Sequence, residues 1–275
     1  MFIYKVMLNA RKYIKVFNLG FQEQLEYRVD FFFKTLIMAI AFLIQYFLWK
    51  SIYQSSNEKL IANFTLQEML TYLLLAKLWS WSIDSGEIDR NFTADVRDGG
   101  LSCFLIRPIN EQLYRFSTFF SHKICNILIC LLTVIIVIFL FPVVFKLSPS
   151  NSWIYIPLIG FLSLVLQFMF SYTIALLSFW WLDIEGFLFI KRLIMSFLTG
   201  TLVPLTIIPD SITKIVLLLP FQYMVFFPIQ VTLGKLDTTS ITNGIIVQVI
   251  WIIVFTLLSK ILWTLGLRQY TSAGA

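Results

Sequence analysis

Six segments of this sequence are apolar over about the length that a helix needs to cross a lipid bilayer. The hydrocarbon core is about 30 Å thick, and a helix crosses it with about 20 residues. Lys77 interrupts the second segment, which makes that segment the weakest of the set. The predicted spans are residues 31–53, 66–83, 116–141, 153–181, 187–208 and 243–266.

The composition agrees with a chain that is solvated by lipid. Hydrophobic residues make up 59% of the sequence and charged residues 13%, whereas soluble proteins have about 25% charged residues. So few charges cannot cover a water-exposed surface. We therefore predict an all-α integral membrane protein, and we interpret its net charge of +6 as a signal for membrane orientation rather than for nucleic-acid binding.

The basic residues decide which end of each span faces the cytoplasm. If the N terminus lies in the cytoplasm, all eight arginines fall on the cytoplasmic side, as the positive-inside rule requires. We therefore predict a multi-pass protein of six spans with both termini in the cytoplasm. The outer side then keeps only lysines, at positions 50, 59, 146, 214 and 235.

Residues 1–22 precede the first span and have the pattern of an amphipathic helix. Apolar and cationic side chains occupy opposite halves of a helical wheel, which is typical of a helix lying on an anionic membrane surface. The alternative is a helix packed on a partner protein. The remaining residues, 23–275, are predicted to form one membrane domain. The apolar half of the wheel holds Ile3, Val6, Met7, Ala10, Ile14, Phe17 and Phe21.

The outer segment 209–235 contains two apolar runs, each about half as long as a span. Pro209, Pro220 and Pro228 close or interrupt these runs, and proline disfavours their fusion into one helix. Runs of this length are typical of re-entrant or interfacial segments. We predict a hairpin of short helices that enters the outer leaflet, with a hairpin lying flat on the surface as the alternative.

The residues of enzyme active sites are missing. The chain has one histidine, His122, and it has neither a metal-binding motif nor a Ser/His/Asp set. The three cysteines lack metal-ligand spacing, and no G-x-x-x-x-G-K-[ST] sequence is present to bind ATP. We therefore expect no catalytic activity, no metal and no cofactor bound by this chain. Lys77 is an ionisable residue within a span, to be explained by snorkelling, by pairing in the bundle or by substrate contact.

A long polar connection, residues 84–112, separates the second and third spans. Ile88, Phe92 and Val96 recur every four residues, which predicts a short helix over 86–98. Gly99 and Gly100 provide a stop for this helix, and Arg107-Pro108 ends the short apolar run that follows. The predicted result is a rigid lever that docks into another protein. A solvated amphipathic linker is the alternative.

Several motifs resemble those of one transporter family. "RDGGLSCFLIRPINEQLY" resembles the R-x-G-x-L…L-x-R-P-[IV]-N stretch of the six-span permease subunits of type-2 ATP-binding-cassette (ABC) exporters. "LPFQYMVFFPIQVTLGK", "LLSFWWLDIEGF" and the ending "LGLRQYTSAGA" are similar to further parts of those subunits, in the same order. The resemblance covers nearly the whole chain.

The resemblance implies a function for the polar connection. The helix over 86–98 would be the coupling helix, docked on a separate ABC ATPase subunit that binds ATP and Mg. A second permease chain, identical or homologous, would complete the complex in the membrane lipid of a bacterial cell. The coupling contacts would come from Glu87, Ile88, Asp89, Arg90, Phe92, Asp95 and Arg97, with Ile88 and Phe92 filling a groove of the ATPase, and the lever turn from Gly99, Gly100, Arg107 and Pro108.

The exported substrate would be hydrophobic or amphipathic: a lipid, a peptide or a drug-like molecule. Polar residues of the spans are weak candidates for its route, and they fit hydrogen bonds between helices equally well. A non-transporting scaffold or insertion factor that binds a cytoplasmic partner through the same helix is the alternative function. The candidate route residues are Gln45, Lys77, Ser196, Thr199 and Thr201.

Overall fold

The computed structural model describes residues 2–26, 28–56, 60–61, 64–140, 151–181, 184–207 and 216–270. These residues are mainly helical and contain no strand, as the all-α prediction requires. The helices are α1 (Phe2–Glu26), α2 (Arg28–Ser55), α3 (Leu66–Ile83), α4 (Gly86–Arg97), α5 (Leu101–Leu105), α6 (Glu111–Leu140), α7 (Ile156–Ala175), α8 (Glu185–Leu198), α9 (Phe226–Thr232) and α10 (Thr238–Gly266).

Helix α7 forms the centre of the bundle. Its sequence is apolar on all sides, as in a helix that is surrounded by other elements or by lipid. Most of its side chains are buried, among them Phe168 and Tyr172. It packs most extensively against α10 and α4, and also against α9, α3 and α6. Short 3-10 segments precede and follow it, at Asn151–Tyr155 and Leu176–Phe179.

Helix α3 begins with a capping box that fixes its N terminus. The backbone N–H of Glu68 donates to the Thr65 hydroxyl, and the backbone N–H of Thr65 donates to the Glu68 carboxylate. Two of the free N–H groups at the helix start are satisfied in this way. The helix covers residues 66–83, the bounds predicted for the second span. More than half of the residues of this helix are buried by neighbouring parts of the chain.

Helix α1 packs along α6 of the same chain. The tilted rings of Phe17 and Phe120 have centroids 6.1 Å apart, and Gly20 lies against Ser121. The prediction of a helix in this segment is confirmed. Its partner among the described residues is α6, and Ile14 remains exposed. Side chains 1–10, which include Ile3, Val6, Met7 and Ala10, lie outside the described residues.

Three of the described helical segments are long and apolar enough to cross a membrane. They are Glu111–Ile135, Ser152–Phe179 and Thr238–Gly266, which correspond to the third, fourth and sixth predicted spans. The first predicted span lies within α2. The six-span prediction as a whole remains a prediction.

The fifth predicted span needs a correction. Helix α8 ends at Leu198, whereas the prediction placed the end at residue 208. Gly200 follows with a φ of 79°, a left-handed conformation that stops the helix. A helix of 14 residues is only about 21 Å long at 1.5 Å per residue, shorter than the hydrocarbon core.

The outer segment is described from Val216 onward, so most of its first predicted helix lies outside the described residues. Pro220–Tyr223 forms a 3-10 turn, and α9 follows. The side chains from Phe226 to Val231 are all buried, against α7, α3 and the turn Asn151–Tyr155. A short, proline-interrupted helical segment is therefore present in the second predicted run.

Candidate functional site

Helix α4 has the charge distribution that a short helix needs. Glu87 and Asp89 lie in its first turn and Arg97 lies in its last turn, so each charge opposes the partial charge of the helix end beside it. Ile88, Phe92 and Val96 lie on its buried face, at the spacing that predicted the helix. Its end at Arg97 is one residue before the predicted one.

The buried face of α4 is occupied by this chain's own helices. Phe92 is fully buried, and its ring contacts the rings of Tyr172, Phe179 and Trp263 at centroid distances of 5.8, 5.6 and 6.4 Å. Ile88 is buried in the same core. The expectation that Ile88 and Phe92 fill a groove of a partner is therefore corrected: both side chains pack against helices of their own chain.

Asp89 is also turned inward. The Lys191 ammonium of α8 donates to its two carboxylate oxygens at 2.9 and 2.7 Å, and to the Ser171 hydroxyl of α7 at 2.8 Å. Burial raises the pKa of Asp89, and the Lys191 charge opposes that rise. Asp89 thus joins α4 to α7 and α8 and is corrected from an expected partner contact to an internal ion pair.

Two more polar side chains complete this buried cluster. Ser85, at the start of α4, is hydrogen-bonded to Ser171. Gln167 of α7 donates its amide N–H to the Ser85 hydroxyl at 2.7 Å. A buried polar group without a partner would cost about 1–3 kcal/mol, and these groups satisfy one another. The N-terminal end of α4 is consequently held in place by hydrogen bonds as well as by apolar packing.

A second buried charge holds the C-terminal end of α4. The Arg115 guanidinium of α6 donates to Asp95 at 2.5 Å and to Glu111, and Glu111 also accepts from the Tyr172 hydroxyl at 2.6 Å. The guanidinium also lies over the ring of Phe92, 4.9 Å from its centroid. Asp95, predicted to contact a partner, is therefore engaged by α6.

The turn between α4 and α5 depends on a glycine pair. Gly99 has a φ of 80°, the left-handed conformation that glycine adopts without strain. A Cβ at Gly100 would lie 2.8 Å from a carboxylate oxygen of Asp95, so the Asp95 side chain would have to shift to admit it. The chain thus turns at Gly99, and Gly100 allows the close approach of Asp95; the role of this turn as a lever stays a prediction.

Beyond this turn, the surface of the segment is exposed. Ile106 is 83% exposed and Leu105 is 47% exposed, beside the exposed Arg107 and Pro108. An exposed isoleucine and leucine together, on an otherwise polar connection, indicate a surface that another molecule covers. We call residues 105–108 the tip. Exposed residues of α4 also face away from the bundle: Arg90, Asn91, Arg97 and Asp98.

Helix α1 supports the tip from one side. The Lys12 ammonium donates to the carbonyl of Pro108 at 3.4 Å, and the backbone N–H of Asn110 donates to the Tyr13 hydroxyl at 3.1 Å. On α6, the imidazole Nδ1 of His122 lies 3.1 Å from the carboxylate of Glu87. Helices α1, α4 and α6 are therefore tied together around the polar connection.

Comparison with known proteins identifies the family. A family model described as "ABC-2 family transporter protein" matches residues 38–274, which is most of the chain. The chain belongs to the ABC-2 transporter family. Members of this family are membrane components of transporters, and the family implies an ABC ATPase as partner. No curated protein matches the chain.

The weak route candidates of this ABC-2 chain have mostly internal roles. The Thr199 and Thr201 hydroxyls bond each other at 2.8 Å, and the Ser196 hydroxyl donates to the backbone carbonyl of Leu193. Gln45 and Lys77 are half-buried, and the Gln45 carbonyl oxygen is buried without a partner among the described residues. These hydroxyl bonds all lie within residues 193–201, so they are local bonds rather than the bonds between helices that the alternative expects.

Sequence reasoning missed the charged residues that hold α4 in place. Glu111 and Arg115 are four residues apart on α6, a spacing that places them on one helix face, and this signal was available. Lys191 lies beside Arg192 in an otherwise apolar stretch of α8, and a charge in such a place needs a partner. The described residues contain no group of three or more His, Cys, Asp or Glu side chains that could hold a metal ion.

Proposed function

We propose that this chain is the permease subunit of an ABC exporter and that ATP hydrolysis in a separate, docked ATPase drives it. The family match supports a transporter permease with an ATPase partner. In this proposal the ATPase binds ATP and Mg, and a second permease chain, identical or homologous, completes the complex. The substrate is hydrophobic or amphipathic and moves outward.

The observation that carries the docking proposal is the exposed tip. Ile106 and Leu105 expose apolar surface beside Arg107, and an apolar anchor within a polar rim is the usual composition of a protein interface. In the proposal, the ATPase covers Ile106 and the exposed charged face of α4. Ile88 and Phe92 are buried, so Ile106 replaces them as the apolar residue expected to contact the partner.

The contacts of α4 supply a route for movement into the bundle. A push on the tip passes through the Gly99 turn to α4. From α4 it reaches α6 through Arg115, α8 through Asp89 and Lys191, and α10 through Phe92 and Trp263. Each of these links is buried or partly buried, and close-packed interiors transmit displacement rather than absorbing it.

A cavity at the end of the bundle opposite the tip has the lining expected of a site for an amphipathic substrate. It has a volume of about 790 Å³, within the range of ligand sites. Its lining combines aromatic rings with amide groups, such as Tyr223 and Phe227 with Gln230 and Asn243. Asn243 lies near the start of α10, whereas the contacts of α4 lie near its end. We propose this cavity as part of the exit route.

The docking proposal is tested by the variant Ile106→Ser. The chain carrying it is purified from gently solubilised membranes of its native host, and the co-purified ATPase is identified and its ATP hydrolysis measured. Burial of an isoleucine side chain stabilises a complex enough that its loss weakens binding roughly ten- to a hundredfold. We expect the ATPase to be lost from the purified chain while the membrane level of the chain is unchanged.

The matched control is Ile154→Ser, because Ile154 is 80% exposed at the opposite end of α7. It should retain the ATPase. If both variants retain it, the tip is not the docking surface. If the unmodified chain has no associated ATPase under these conditions, the scaffold alternative replaces the exporter proposal.

A further inference from the structure

A cavity lies beside the tip where three apolar helical segments end. Its volume is about 460 Å³, and its lining includes Glu111 at the start of α6, Tyr172 near the end of α7, and Lys260 and Trp263 near the end of α10. These three segments are the ones long and apolar enough to cross a membrane. The cavity therefore lies at the depth where hydrocarbon gives way to lipid headgroups.

Two cations in the lining have no acidic partner. Within the part of the chain that the structure describes, the side chains of Arg107 and Lys260 make neither an ion pair nor a hydrogen bond, and both are exposed. Glu111 is the one carboxylate of the lining, and Arg115 and Tyr172 already engage it. The free charge of the cavity is therefore positive.

The walls of the cavity are apolar and aromatic. Phe104, Leu105 and Trp263 are part of its lining. A site with two cations at an aromatic wall fits a molecule with an anionic head and an apolar body. Tryptophan at the level of the headgroups is a usual neighbour of lipid. A free inorganic anion would leave the apolar walls uncovered.

We propose that this cavity binds the headgroup of an anionic phospholipid. The phosphate lies between Arg107 and Lys260, and the glycerol and the first part of an acyl chain cover Phe104 and Trp263. Arg107 belongs to the tip and Lys260 to α10, so the lipid joins the two. This proposal requires a membrane and no ATPase, and its outcome is independent of the docking proposal.

The test is a lipid titration of the full chain in a neutral detergent, followed by native mass spectrometry. The probes are dioleoylphosphatidylglycerol, which is anionic, and dioleoylphosphatidylcholine, which has the same tails and no net charge. We expect the chain to retain the anionic lipid at clearly lower concentration. Arg107→Gln and Lys260→Gln each remove one cation that attracts the headgroup. We expect each variant to retain the anionic lipid about fivefold more weakly, and the double variant about 25-fold more weakly.

The matched control is Arg268→Gln, because Arg268 is exposed two residues beyond α10 and does not line the cavity. Its retention of the anionic lipid should equal that of the unmodified chain. Equal retention of the two lipids by the unmodified chain would overturn the proposal, as would an equal loss in Arg268→Gln. Displacement of the lipid by millimolar inorganic phosphate would show an anion site instead. The comparison of the two lipids decides the matter even if a variant fails to fold.

Discussion

Arg115 and Lys191 show how this chain holds charges in an apolar bundle. Each is at least nine-tenths buried, and each has several acceptors within hydrogen-bonding distance: Asp95 and Glu111 for the first, Asp89 and Ser171 for the second. A buried charge loses its contacts with water, so it is stable only where other polar groups take their place. The two acceptors of each charge belong to two different helices, so each charge also fixes the position of one helix relative to the other.

The ion pair of Lys191 and Asp89 makes a contribution to stability that can be measured. The variant Lys191→Met leaves the Asp89 carboxylate buried and unpaired, which costs about 3–5 kcal/mol. Unfolding in mixed micelles should show this loss as a lower free energy of unfolding. Adding Asp89→Asn removes the unpaired charge, so the double variant should recover most of the loss.

Lys15→Met is the matched control, since Lys15 is exposed on α1, and its free energy of unfolding should not change. A double variant that is as unstable as the sum of the two single variants would show that the two side chains do not act as a pair.

At the scale of elements, the short helix α4 is held firmly although it is only 12 residues long. Isolated helices of that length are marginal in water. Its stability here comes from one apolar face on α7 and α10 and from polar contacts near both ends. The chain then reverses within the two glycines, so the position of the tip follows directly from that of α4.

Gly99 is the residue on which this reversal depends. Gly99→Ala places a Cβ in the left-handed conformation, which costs about 1–2 kcal/mol, and we expect a matching decrease in the free energy of unfolding. Gly186→Ala is the control, because a Cβ at Gly186 meets no atom within 4 Å and alanine favours a helix by about 0.5–1 kcal/mol. If both variants lose the same free energy, the φ of Gly99 has no special role.

The bounds of α4 could be predicted because their signals are local. The four-residue spacing of Ile88, Phe92 and Val96 and the following glycines lie within 15 residues of sequence. The direction in which its apolar face points could not be predicted. Its partners Tyr172 and Trp263 are far away in the sequence, and aromatic residues occur throughout this chain. The end of α8 depends on a local signal instead: the apolar run continues past Leu198, whereas Gly200 turns the backbone.

At the scale of the whole molecule, the described helices place polar features at two ends of one bundle. The tip, the Arg115 cluster and the end of α10 lie together. Lys235, Glu68 and the start of α10 lie together at the other end, around the larger cavity. The predicted topology assigns the first end to the cytoplasm and the second to the outside.

Cysteine labelling tests that assignment. Cys103 is exposed beside the tip, whereas Cys125 and Cys130 are buried. Labelling of the natural thiols therefore shows which side of the membrane the tip faces. A membrane-impermeant maleimide should label Cys103 in inverted vesicles and not in intact cells. Ser240→Cys, in a Cys103→Ser background, should show the opposite pattern, because Ser240 is exposed near the start of α10. Labelling of both positions from the same side would contradict the six-span topology.

The central position of Phe92 also has a consequence for synthesis of the chain. Its ring packs on Trp263, which leaves the ribosome 171 residues later. At about 5–20 residues per second, this delay is roughly 9–34 s. Throughout that time the apolar face of α4 has no completed site to enter. Until α10 is synthesised, the apolar face of α4 can pack on Tyr172 and Phe179 and lacks its contact with Trp263.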